Sequence, residues 1–141
     1  MIVNDGKCKC GNVEATLKLP HPLNEYSPRQ CDCDFCITRN ISYVSDPEGV
    51  LELKYQENLE VQKQGSEQAE LLTCPNCKTV IAASINLKGK LLGALNANVL
   101  SKKATLKPST SVSPKKLGAK EKVERWETVW LNILINNEKS I

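Results

Sequence analysis

The sequence contains very little histidine and few aromatic residues. Among 141 residues there is one histidine, His21, and aromatic residues make up 4% of the chain. A catalytic cysteine–histidine pair would depend on this single base, which lies between two prolines in a predicted loop, and this argues against such a pair. The scarcity of aromatic residues also predicts a hydrophobic core built mainly from Leu, Ile and Val.

Long apolar segments are absent as well. No run of about 18 apolar residues occurs, so the sequence predicts no membrane span. Residues 1–11 contain no apolar segment of the kind found in secretory signals. We therefore expect a cytoplasmic protein, because thiols persist and bind metals in a reducing compartment. A hydrophobic content of 40% and a charged content of 25% are typical of one soluble domain with a modest core.

Positive charge is concentrated in one stretch. The formal net charge is +3, and residues 101–122 carry seven lysines against one glutamate. A basic stretch can bind nucleic acid, but no aromatic residue lies among these lysines to stack on the bases of a single strand. We interpret the stretch as a solvated connector and expect no nucleic-acid partner.

Alternating hydrophobicity predicts a mainly β fold. Residues 12–19 alternate strictly, and one face would carry Val13, Ala15, Leu17 and Leu19. Shorter segments separated by turn residues predict further strands at 41–45, 50–55, 58–64, 69–73, 79–85 and 91–95. The last two flank "NLKGK" and are predicted to form a hairpin. Residues 1–106 are therefore assigned to one β domain.

The C-terminal part has a different pattern. Residues 107–118 are rich in Pro, Ser and Lys and are predicted to be a connector. Residues 119–137 repeat apolar side chains at helical spacing, in a stripe formed by Val123, Trp126, Trp130, Ile133 and Leu134. This predicts a C-terminal amphipathic helix packed on the β domain.

The cysteines carry the strongest signal. Seven cysteines fall into three clusters, which are Cys8-x-Cys10, Cys31-x-Cys33-x-x-Cys36 and Cys74-x-x-Cys77. A disulfide framework accounts poorly for an odd number of cysteines in a chain without a secretory signal. Closely spaced thiolates are instead typical ligands of a tetrahedral zinc ion. We therefore interpret the clusters as metal ligands.

Seven ligands divide naturally into four and three. The two-cysteine clusters Cys8/Cys10 and Cys74/Cys77 can form one closed structural site that joins distant strands. The middle cluster supplies Cys31, Cys33 and Cys36 from one short loop, which leaves one position of the ion free, as in catalytic sites. The sequence thus predicts two zinc ions per chain.

The order of these clusters resembles the glutathione-dependent formaldehyde-activating enzyme family, which also contains centromere protein V. The resemblance covers about residues 6–100 and includes "CKCGNV" at 8–13 and "LTCPNCKTVI" at 72–81. It implies a zinc-bearing β-tent of short antiparallel strands. It also implies a structural zinc on the two outer clusters, a catalytic zinc on the middle cluster, and carbon–sulfur lyase chemistry on a glutathione adduct.

Several positions depart from the family pattern. Asp32 separates the first two middle cysteines, Ile37 follows the third where a basic residue is common, and Arg39 comes two residues later. Lys78 follows the closing Cys-x-x-Cys, where the family usually has glycine.

Three thiolates would make the second zinc ion electron-rich, and such an ion favours a thiolate as its fourth ligand. We therefore predict a small thiol such as glutathione as the substrate partner. Binding it would add negative charge, and Arg39 or Arg29 could compensate for that charge. Asp32 and Asp34 could support the ligands or move a proton, and Asp34 could instead close the site as a fourth ligand.

Two other functional classes stay open at this point. One is a non-catalytic zinc module that binds protein or nucleic acid through the lysine-rich stretch. The other is a redox-sensing or metal-storage protein, which needs only labile thiolates. The oligomeric state does not follow from the sequence.

Overall fold

Strands dominate the structure. The computed structural model describes residues 1–31, 41–63, 70–87, 89–112 and 129–137. In these ranges the strands are β1 (Ile2–Lys7), β2 (Val13–Leu19), β3 (Arg29–Cys31), β4 (Ser42–Val44), β5 (Val50–Tyr55), β6 (Glu60–Lys63), β7 (Glu70–Thr73), β8 (Val80–Leu87), β9 (Lys90–Asn96), β10 (Thr110–Val112) and β11 (Leu131–Asn137). The described residues also form three short 3-10 helices, Leu23–Glu25, Ala97–Val99 and Lys103–Thr105. The mainly β prediction is confirmed.

All these strands belong to one branched sheet. Its pairing order is β1-β2-β5-β11-β9-β4-β3-β10, and β9 also pairs with β8, which continues through β7 to β6. The branch lies at β9, which pairs with β11 at Leu92 and Gly93 and with β4 at Leu95 and Asn96. A Cβ atom at Gly93 would overlap the carbonyl oxygen of Ala83, so this crowded branch point requires glycine.

The sheet is mixed, which corrects the expectation of antiparallel strands alone. β10 runs parallel to β3, and β11 runs parallel to β5. The other pairs of named strands are antiparallel, including the predicted hairpin of β8 and β9, whose last paired residues are Leu87 and Lys90.

The alternation in β2 places its apolar face in the core. Val13, Ala15, Leu17 and Leu19 are all buried, with relative exposures of 0–2%. They pack in a core cluster with Leu51 and Leu53 of β5 and with Leu131 and Ile133 of β11. Full burial of one such side chain contributes about 2 kcal/mol through the hydrophobic effect. The period-two pattern therefore fixes both the strand and its orientation.

The predicted helix over 119–137 is wrong for its last part. Leu131–Asn137 is the strand β11, and residues 119–128, which include Val123 and Trp126, lie outside the described residues. Within β11, Ile133 is 5% exposed whereas Leu134 is 55% exposed. Adjacent side chains point to opposite faces of a strand, so these two residues cannot share one stripe.

A second core cluster lies around β8. It includes Val80, Ala83 and Ile85 together with Trp130, which is 9% exposed and immediately precedes β11. Since β8 also contributes Ile81 to the larger cluster, this strand is buried on both faces. Trp130 is therefore buried, as expected of a packing anchor, but it leads into the strand β11 and not along a helix.

Three further segments differ from the predictions. β1 and β3 were not predicted as strands, and β10 lies within the segment 107–118 that was interpreted as a connector. Among the described residues, no helix is long and apolar enough to cross a membrane.

Candidate metal centre

The first half of the site is the turn between β1 and β2. Cys8 follows β1 directly, its N–H donates to the carbonyl of Val13 at 3.0 Å, and its own carbonyl accepts from the N–H of Gly11 at 3.1 Å. Gly11 has φ of 82°, a left-handed conformation that glycine adopts without steric cost. The N–H of Val13 also donates to Cys8 Sγ at 3.3 Å. The turn thereby places Cys8 and Cys10 on a short, internally bonded loop.

The second half is the turn between β7 and β8. Cys74 follows β7, its N–H donates to the carbonyl of Thr79 at 2.9 Å, and its carbonyl accepts from the N–H of Lys78 at 3.0 Å. Lys78 has φ of 60°, which is uncommon for a residue with a side chain. This turn holds Cys77 three residues after Cys74.

The two turns bring four sulfur atoms together. Cys10 Sγ lies 3.6 Å from Cys8 Sγ and 3.6 Å from Cys74 Sγ. The sulfurs of Cys8, Cys10, Cys74 and Cys77 all lie within 4.8 Å of one another. Four thiolates at about 2.3 Å from a tetrahedral zinc ion are separated by about 3.8 Å. The group therefore has the ligand type, number and spacing to hold a metal ion.

Burial differs among the four cysteines. Cys8 and Cys74 are buried at 3% and 0% exposure and belong to the hydrophobic core, Cys77 is partly buried, and Cys10 is exposed. The site thus has two sulfurs anchored in the core and one that faces solvent.

The proton affinities of two thiols also differ. The N–H of Asn12 lowers the pKa of Cys10, but desolvation and the neighbouring thiols of Cys74 and Cys8 together raise it to about 11. Desolvation raises the pKa of Cys77, but hydrogen bonds from the hydroxyl and N–H of Thr79 outweigh it and lower the pKa to about 5. Without metal, the site therefore holds one thiol that ionises readily and one that resists ionisation.

Asn12 connects the site to the chain after β5, a role that was not predicted from the sequence. Its Oδ1 accepts from the N–H of Glu57 at 2.7 Å, and its Nδ2 donates to the carbonyl of Glu57 at 3.2 Å. The same Nδ2 lies 3.6 Å from Cys74 Sγ. Donors to coordinating sulfurs orient the ligands and offset their charge. The signal was available in "CKCGNV", where an amide side chain lies two residues after Cys10.

A second supporting group is Thr79. Its Oγ1 lies 3.1 Å from Cys77 Sγ. Together with the N–H of Val13 at Cys8, the side-chain amide of Asn12 at Cys74 and the N–H of Asn12 at Cys10, it gives each of the four sulfurs a polar neighbour. A site of four thiolates and a divalent cation carries a net charge of about −2, and such donors reduce its cost.

The structure describes only the beginning of the middle cluster. Cys31 is the last residue of β3, and its backbone is in register with Val112 of β10. The other predicted residues of this site lie outside the described residues, namely Asp32, Cys33, Asp34, Cys36 and Arg39. The second zinc ion therefore stays a prediction.

A polar cavity of about 270 Å³ lies beside β3. Its lining includes Tyr26, Arg29, Tyr43 and Asp46. The hydroxyl of Tyr26 donates to Asp46 Oδ2 at 2.8 Å, and burial followed by the adjacent carboxylate raises the pKa of Tyr26. Arg29, a candidate cation from the sequence, thus faces a cavity two residues before Cys31.

Comparison with known proteins shows a related fold. No protein-family model and no curated protein matches the sequence. The structure is similar to a structural-genomics crystal structure of a Rhodobacter sphaeroides protein, with a TM-score of 0.54 and 24% sequence identity. The alignment covers 81% of this chain and 94% of the other. At this level of identity the similarity shows the fold alone.

Proposed function

We propose that the protein is a zinc-dependent enzyme of the carbon–sulfur lyase type that acts on an adduct of glutathione or another small thiol. The observation that supports this proposal best is the complete set of four cysteine ligands in one group. Four thiolates satisfy a structural ion, so Cys31, Cys33 and Cys36 are available for a second ion. A three-ligand site keeps a position for a substrate.

The chemistry of the second site follows from its ligands. Zinc bound by three thiolates would be a soft centre that accepts a thiolate more readily than it activates water. A thiol substrate held by its sulfur would present the adjacent carbon–sulfur bond to the enzyme. The resemblance of the three cysteine clusters to the formaldehyde-activating family supports the same substrate class.

The cavity beside β3 suits the polar part of such a substrate. In our proposal, Arg29 lies close to a carboxylate of the bound thiol, and Tyr26 offers a phenol that Asp46 holds in place. Arg39 is a second candidate for binding negative charge. These residues would orient the substrate while Cys31, Cys33 and Cys36 hold the ion to which its sulfur binds.

Cobalt substitution tests the proposal. Glutathione titrated into the cobalt-loaded chain should intensify the sulfur-to-cobalt charge-transfer band, and Cys33→Ser should abolish the increase while Cys8, Cys10, Cys74 and Cys77 still bind one ion. An unchanged spectrum at millimolar glutathione would overturn the proposal. If the metal-loaded protein then bound nucleic acid with steep salt dependence, the alternative of a non-catalytic zinc module would replace it.

A further inference from the structure

The four-cysteine site is asymmetric with respect to solvent. Cys8 and Cys74 are buried in the core cluster, whereas Cys10 is exposed. Cys10 Sγ nevertheless lies 3.6 Å from the sulfur of each of these buried residues. A reagent that arrives from solvent therefore meets Cys10 first. The sulfur of Cys10 already has two sulfur neighbours, those of Cys8 and Cys74, when it reacts.

We propose that Cys10 is an oxidation site at which a hydroperoxide opens the metal centre. Susceptibility of a cysteine to oxidation follows its thiolate character and its exposure. With the metal bound, all four sulfurs are thiolates, because a metal-ligating cysteine is deprotonated. Exposure therefore separates the four ligands, and it favours Cys10.

The chemistry proceeds in two balanced steps. The Cys10 thiolate attacks the terminal oxygen of the hydroperoxide, so that a sulfur–oxygen bond forms, the oxygen–oxygen bond breaks, and the departing alkoxide takes a proton from water. The sulfur of Cys8 or Cys74 then attacks the Cys10 sulfur, a disulfide forms, and the sulfur–oxygen bond breaks with loss of hydroxide, which is protonated to water. The two sulfurs lose two electrons, and the hydroperoxide gains them.

The disulfide removes two of the four ligands. The remaining pair does not satisfy a structural zinc ion, which is closed with four ligands, so the metal leaves. The turn 8–13 and the turn 74–79 then lose the ion that joins them. This inference requires metal at the four-cysteine group, but it does not require the lyase activity proposed above.

The test uses the zinc-loaded full-length chain and hydrogen peroxide. Zinc release is followed with a chromogenic chelator, and the oxidation of each cysteine is followed by differential alkylation and tryptic mapping. Cleavage after Lys7 and Lys9 separates Cys8 from Cys10, and both from Cys74. We expect Cys10 to be the first of the four ligands to oxidise, and a disulfide that contains Cys10 to appear together with the released zinc.

Two matched variants separate the effect of the exposed Cys10 thiolate from the effect of replacing any one cysteine of the group. Histidine can replace one cysteine at a structural zinc site without forming a disulfide. Cys10→His should release zinc at least about tenfold more slowly than the wild type, since the accessible thiolate is gone. Cys77→His, which replaces a partly buried ligand, should release zinc at nearly the wild-type rate. The background Cys33→Ser removes any zinc that the middle cluster contributes.

Either of two results would overturn the inference. One is earlier oxidation of Cys8, Cys74 or Cys77 than of Cys10 in the wild type, a comparison that needs no variant to fold. The other is zinc release without a disulfide at Cys10. Neither result bears on the response of the cobalt-loaded protein to glutathione, so the two proposals fail independently.

Discussion

Lys78 and Glu60 form an ion pair beside the turn that holds Cys74 and Cys77, with 2.7 Å between Nζ and Oε1. The backbone of Lys78 is left-handed, with φ of 60°. Both side chains are well exposed, at 65% and 40%, and such surface pairs contribute little to stability. The N–H of Lys78 donates to the carbonyl of Cys74, and this hydrogen bond is made in a left-handed conformation that a residue with a side chain does not favour. The weak ion pair does not compensate for that strain.

Lys78→Gly should stabilise the protein. A left-handed backbone costs a residue with a Cβ atom about 1–2 kcal/mol, and glycine removes this strain. The greater conformational freedom of glycine in the unfolded chain offsets part of the resulting stabilisation. We expect a net increase of about 0.5 kcal/mol in the free energy of unfolding, measured by urea denaturation. Lys78→Ala is the control, because it removes the ion pair and keeps the strain. Equal stabilities of the two variants would contradict the strain argument.

A second prediction concerns the strand β11. Leu131→Ala should lower the free energy of unfolding by about 2–5 kcal/mol, since it leaves a cavity in the core. Leu134→Ala should change it by less than about 0.5 kcal/mol, because that side chain faces solvent. Urea denaturation of both variants is the measurement. A large effect at Leu134 would instead agree with the apolar stripe of a helix.

The contrast between β2 and β11 explains how far the sequence could predict the fold. In β2 the polar and apolar residues alternate, so local pattern and burial agree. In β11 the stretch from Ile133 to Ile135 is continuously apolar, and a short apolar run fits a helix stripe as well as a strand. The parallel pairing of β11 with β5, about 80 positions earlier, decides between them. No local pattern contains that information.

The site was more predictable than the tail. The spacing of the outer cysteine clusters indicated that Cys8, Cys10, Cys74 and Cys77 could form one closed site, and the family resemblance implied that they do. Their supporting groups were less predictable, although "CKCGNV" offered Asn12 as a nearby amide. The contact of Asn12 with Cys74 depends on two turns that approach each other only in the folded chain.

Loss of one structural ligand should unfold or severely destabilise the protein. Cys77→Ser should remove one metal ion and lower the free energy of unfolding by about 3 kcal/mol or more, because metal binding contributes to folding. For a chain of this size, that corresponds to a fall in Tm of roughly 10 °C. Cys33→Ser is the control and should lose one ion while keeping its fold. Metal analysis and thermal denaturation give both readouts, and a wild-type Tm for Cys77→Ser would contradict the structural role.

Metal affinity should rise with pH, because the metal must displace protons from the thiols that bind it. The shifted pKa values of Cys10 and Cys77 determine which of these protons are present at a given pH. In the metal-free chain Cys77, with a pKa of about 5, is already a thiolate at neutral pH, whereas Cys10, with a pKa of about 11, still carries its proton. Binding must therefore displace at least the proton of Cys10, and each displaced proton gives a tenfold gain in affinity for each pH unit.

We expect the Kd for zinc to fall by at least about tenfold for each pH unit between pH 6 and 9. Below pH 5 the Kd should change by a further factor of about ten for each pH unit, because Cys77 then also binds a proton that the metal must displace. Competition with a chelator, corrected for the chelator's own protonation, measures both slopes. Cys77→His provides the comparison, since an imidazole, with an ordinary pKa of about 6.5, should begin the added slope at about pH 6.5 instead of pH 5. A Kd that is constant between pH 6 and 9 would mean that Cys10 is not a ligand.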